Sequence, residues 1–153
     1  METHVNSGII TDIRKEFFAF RNGMIADTLR KGGLEQKYIF GLQLPQIKEI
    51  AIRYRPDNND EAYMLAQMLW DDKECREARL LACHIMPPEA MTKEEASKWA
   101  NDASSREESD ILAFRLFRHM PFASELAEET AANGSKLNEY TASAIRRFSD
   151  PAS

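Results

Sequence analysis

The sequence is poor in the residues that anchor most site chemistry. It has two cysteines and three histidines, His4, His84 and His119, and none of them stand at the spacing of a zinc site. Cys75 and Cys83 are eight positions apart in what reads as one helix. That places them about 12 Å apart along the axis, too far for a disulfide between them. Two reduced thiols fit a cytoplasmic protein. The six glycines, at 8, 23, 32, 33, 41 and 134, are too scattered to build a phosphate-cradling loop. No apolar run reaches the ~18 residues of a membrane span. The first residues, Met-Glu-Thr-His-Val, lack the basic start and apolar stretch of a secretory signal. No metal, cofactor or membrane contact is therefore expected. An excess of positive charge is also missing: 20 lysines and arginines face 25 acidic residues, a net charge of −5. That excludes a protein whose whole surface attracts nucleic acid, and any such contact must come from a local basic face.

What the sequence does have is helical periodicity, with almost no strand alternation. Ile10, Ile13, Phe17 and Phe20 recur at steps of three and four, predicting a helix over about 8–21. A second runs from Met24 to Lys31 and stops at Gly32-Gly33, where glycine accepts the left-handed end conformation. Residues 34–44 are the least helical stretch. Pro45 opens a helix with Ile47, Ile50, Ala51 and Tyr54 on its buried side, and Pro56 ends it. Asn59 or Asp60 is expected to cap the next helix, which ends at Trp70, and Asp71 or Asp72 the one after, which stops at Pro87-Pro88. Thr92…Glu95 and Ser105…Glu108 read as capping boxes, with Trp99 in the short helix between them. The helix from Ser105 to about His119 carries Ile111, Leu112, Phe114, Leu116 and Phe117 around most of its circumference, so it is expected to be central. Helices over about 122–132 and 138–148 follow, the last closed by Asp150-Pro151. The fold class is all-α: about nine short helices in one domain spanning residues 1–153, joined by connections short enough to pack as HEAT-like pairs in an α-α superhelix.

Candidate site residues each have a plainer structural explanation beside the functional one. His84 and His119 sit near helix C-termini, where the dipole favours an imidazole. Glu107, Glu108 and Asp110 crowd a helix start, where carboxylates are favoured anyway. Glu125, Glu128 and Glu129 read as a solvated face. Trp70 and Trp99 can stack on a base or pack between helices. The basic residues Lys48, Arg53, Arg55, Lys73, Arg76, Arg79, Arg115, Arg118, Arg146 and Arg147 recur at intervals that a stack of helical pairs can gather on one face, where they would follow phosphates. Alternatively, they pair with neighbouring acids such as Glu74 and Glu77.

The run from Tyr38 to Ala51 (YIFGLQLPQIKEIA) resembles an early motif of the DNA alkylation repair family, the AlkD-like HEAT-repeat DNA glycosylases. Leu65-Ala66 to Leu69-Trp70, followed by Glu74 to Ala82, is similar to that family's leucine-tryptophan helix end and the helix after it. The likeness is clearest over residues 34–86, weaker over 92–121, and thin near Ala142–Arg147. The resemblance implies excision of cationic N3- or N7-alkylated purines from duplex DNA held on a basic face, with an aspartate and tryptophans beside the damaged nucleotide. On this sequence it implies Asp110 as the catalytic carboxylate, and Lys48, Arg53, Arg76, Arg79, Arg106, Arg115 and Arg118 as DNA contacts. Arg106 stands where the family places a tryptophan, four residues before the aspartate. The chain is also shorter than typical members, so the helices that bring the second tryptophan are expected to be largely missing. The alternative expectation is a HEAT-like module that binds a protein partner without catalysis.

Overall fold

Residues 7–149 are described in the computed structural model, so His4, the start of the chain and Asp150-Pro151 lie outside the described residues. Among the described residues there are nine α-helices and no strand; the only ladder element is an isolated bridge between Tyr38 and Cys75. None of these helices is long and apolar enough to cross a membrane. The chain divides between Met86 and Pro87 into two compact units, described in turn.

The first unit contains α1 (Ser7–Ala19), α2 (Gly23–Lys31), α3 (Leu44–Tyr54), α4 (Asn59–Trp70) and α5 (Arg76–Ile85). The caps follow local chemistry. Asn22 accepts from Met24 N and Ile25 N, and Asn58 from Asp60 N and Glu61 N. Gln43 N donates to Gln46 Oε1 at 3.0 Å, closing the start of the proline-opened α3. At the end of α2 the left-handed residue is Gly33, φ +109°, while Gly32 keeps helical angles. The expected aspartate cap on α5 is not there: the capping position is Cys75, and Asp72 instead pairs with Arg14.

Every residue of α5 is buried, including Arg76, Glu77, Arg79 and His84. The helix whose arginines the sequence offers for a phosphate-following face is thus wholly interior. Burying a carboxylate is costly unless donors surround it. Glu77, fully buried, accepts from the backbone N–H groups of Phe40, Gly41 and Leu42 at 3.0, 3.0 and 3.3 Å and from Arg76 Nη1 at 2.6 Å. This network explains how the irregular stretch before α3 keeps its shape. Further along it, Tyr38 N donates to Glu74 O, Arg76 N to Tyr38 O, and Gln36 Nε2 to Lys73 O. Gly41 has φ +88°, and a Cβ there would fall 2.2 Å from the carbonyl oxygen of Asn22, so no other residue fits. Phe17 of α1 closes the core against Phe40, ring centroids 5.8 Å apart.

The second unit contains α6 (Lys93–Asp102), α7 (Arg106–Arg115), α8 (Ala123–Ala132) and α9 (Lys136–Ser149), with 3-10 turns at Pro88–Ala90 and Phe117–His119. The Thr92…Glu95 capping box is complete. In the second box Ser105 accepts from Glu108 N, but the Glu108 carboxylate turns to Ser104. α7 is shorter and less buried than its apolar content suggests: it ends at Arg115, the chain tightens into a 3-10 turn, and Phe114 is exposed. Side-chain partners give the helix directions. Lys93 meets Glu125 and Glu129 while Asn101 meets Asn133, so α6 and α8 run the same way. Ser109 meets Thr141 while Phe114 meets Phe148, so α7 and α9 also run the same way. Within this unit alternate helices therefore lie side by side, as in a stack of helical pairs.

Cys75 and Cys83 are buried and not joined by a disulfide, and burial pushes the Cys75 thiol up to about 12. A thiol reagent at pH 8 should leave both unreacted in the native protein and modify both in denaturant. Glu77→Ala strands three backbone donors and an arginine, and should lower the unfolding free energy by about 3–5 kcal/mol in urea titration.

Candidate nucleic-acid interface around Asp110

Asp110 lies one turn inside α7. The end of that helix is capped by Ser105, so the Asp110 carboxylate is not consumed there. It is half-buried and turned toward α9. The Tyr140 hydroxyl donates to both of its oxygens, at 2.9 and 3.0 Å, and Arg147 Nη2 approaches Oδ1 at 3.4 Å. The register that makes this possible is set next door. Thr141 donates its hydroxyl proton to Leu137 O, so in the buried 2.6 Å contact with Ser109 it is Ser109 that donates. Burial, and then the bond to Asp110, raise the Tyr140 phenol above its ordinary value, so the hydroxyl keeps the proton that it donates.

Cations and rings alternate around this point. The Arg106 guanidinium lies 4.8 Å from the centroid of the Tyr140 ring, Arg147 lies 4.5 Å from that of Phe148, and Arg118 lies 4.0 Å from that of Phe114. Phe114 and Phe148 meet edge to face at 5.3 Å. Residues 106, 110, 114 and 118 recur every fourth position, so one stripe of α7 and the following turn carries Arg106, Asp110, Phe114 and Arg118. Arg115 is half-buried and falls off that stripe by its spacing. Arg147 and Asp110 have side chains 57% and 39% exposed. A pair so open to water contributes at most about 1 kcal/mol, so Arg147 can exchange Asp110 for a phosphate at little cost.

The other basic residues named from the sequence divide into two groups. Lys48 and Arg53 are exposed on α3, and Arg53 pairs with Glu16 and Glu49. Arg76 and Arg79 are 5% and 1% exposed. Arg76 binds Glu77 and Leu42 O. Arg79 donates from Nε to Trp70 O, and its guanidinium lies 4.0 Å from the centroid of the Trp70 ring. Polar groups turned inward in this way cannot reach a phosphate, so the DNA contact expected of these two arginines is corrected to a core role. Trp70 and Trp99 are buried as packing residues, and His84 is buried with Nδ1 bonded to Leu80 O. His119 is exposed and Asp110 has no histidine partner among the contacts above. No group of three or more metal-ligating side chains converges among the described residues.

The family model of DNA alkylation repair enzymes matches residues 13–143. The chain belongs to this family. The matched residues take in α2 to α8, most of α1 and the start of α9, including Asp110 and Tyr140 but not Arg147. Comparison with curated proteins and with solved structures finds no match. Tyr140, the hydrogen-bond partner of Asp110, is the residue that sequence reasoning missed. Its partner is 30 residues away, and no local pattern marks a tyrosine on an amphipathic helix as a ligand of a carboxylate.

The two classes of arginine should behave differently. Arg79→Ala, which removes a buried cation from Trp70, should lower the unfolding free energy by about 3 kcal/mol. Arg147→Ala should change it by no more than about 1 kcal/mol in the same denaturant titration.

Proposed function

We propose that this protein binds alkylated duplex DNA through the second unit and excises N3- or N7-alkylated purines, with Asp110 as the catalytic carboxylate. The observation that carries this reading is the Asp110 carboxylate, accessible and flanked by cation–ring pairs, in a chain of the alkylation repair family. An N-alkylated purine already carries positive charge. When the C1′–N bond breaks, its electron pair neutralises the departing base and leaves positive charge on the sugar. A fixed carboxylate stabilises that charge, and water then adds at C1′. Arg106, Arg118 and Arg147 would hold phosphates on either side, with Arg115 as a further contact in the same unit. Arg106, at the position where the resemblance implies a tryptophan, lies over the Tyr140 ring, so an aromatic ring stands beside the carboxylate with a cation on its face.

A second reading, a binding module without catalysis, is favoured by the net charge of −5 and by the exposed Glu125, Glu128 and Glu129 on α8. A duplex oligonucleotide containing 7-methylguanine separates the two. The enzyme reading expects release of the free base, loss of that release in Asp110→Asn, and a log–log salt slope of binding on the order of −3 to −4, from about three or four phosphate contacts. Absence of duplex binding at low salt removes the nucleic-acid reading altogether. Base release that survives Asp110→Asn removes the assignment of Asp110.

A further inference from the structure

We infer that Tyr140 is a positioning residue of this site: its hydroxyl fixes the plane of the Asp110 carboxylate, and the Arg106 guanidinium packs over its ring. The inference rests on the reading of Asp110 given above. A purely structural role does not account for the arrangement. The α7–α9 register is already set by the buried Ser109–Thr141 contact and by the Phe114–Phe148 rings, and the start of α7 is already capped. The Tyr140 hydroxyl adds no core volume, and it addresses the two carboxylate oxygens almost equally. A carboxylate otherwise held only by an exposed arginine would rotate freely and would leave with that arginine once a phosphate arrived. With the phenol in place, Arg147 can move to the DNA backbone while the carboxylate stays where it is. The groups facing Asp110 are thus Tyr140 and Arg147 from α9, with Arg106 from its own helix behind the ring.

Tyr140→Phe keeps the ring and removes only the hydroxyl. The single-turnover rate of 7-methylguanine release should fall about tenfold, with duplex Kd changed less than twofold and the unfolding midpoint nearly unchanged. A rate equal to that of the parent protein overturns the positioning role. So does a loss that appears only as weaker DNA binding or lower stability. A second measurement does not need activity. With 13C-labelled tyrosine, the Tyr140 Cζ resonance should titrate at lower pH in Asp110→Asn than in the parent protein, because the charged acceptor that holds the phenolic proton is gone. An unmoved titration overturns the proposed bond whatever the activity. A moved titration with no base release by the parent protein keeps the bond but overturns the catalytic reading, and the positioning role with it.

Discussion

A carboxylate shut away from water must be met by donors, and in this protein Glu77 meets four. Three come from consecutive backbone amides of the irregular stretch at Phe40–Leu42 and one from Arg76. A stretch with no helical ladder of its own is thereby given a place to direct its N–H groups, which a buried chain must have. The core of the first unit, from Phe17 against Phe40 to the fully buried α5, is arranged around that requirement. Polar groups there are part of the interior, and their energetic weight comes from the absence of competing water.

The second unit uses the same residue types under the opposite condition. Arg106 and Arg147 are exposed, their cations lie over ring faces, and the ion pair with Asp110 is open to solvent. A buried arginine is committed, since moving it strands its partner, whereas an exposed one is available. Net charge does not distinguish the two cases. A chain at −5 can carry a usable cationic face, provided that its acids are spent elsewhere. Glu77 lies in the interior, Glu16 pairs with Arg53, and Glu125 and Glu129 pair with Lys93 on α6 and α8, whereas the arginine–aromatic stripe runs along α7 and α9.

Much of the architecture was legible in the sequence, because helix ends have local signals. Thr92 with Glu95, Asn133-Gly134 after α8 and the proline at the start of α3 all mark real boundaries. What was not legible is long-range compensation. Arg76, Glu77 and Arg79 look like a solvent face until Phe40–Leu42 and Trp70 are seen to receive them. α7 looks central because of Phe114 and Ile111, yet Phe114 is 40% exposed and finds its ring partner on α9. At the site, Asp110 could be named because the resemblance pointed to it. Arg147 could be named only as one basic residue among ten, and Tyr140 not at all, because their pairing with Asp110 spans 37 and 30 residues.

The glycine at position 41 separates two kinds of information. It sits where a methyl group would collide with the Asn22 carbonyl, in the same Phe40–Leu42 run that Glu77 binds, and within the residues that the family model matches. Selection on that run is selection for a backbone path. Position 41 is held to glycine by the backbone it packs against, a constraint that belongs to the first unit's fold and needs no ligand to explain it.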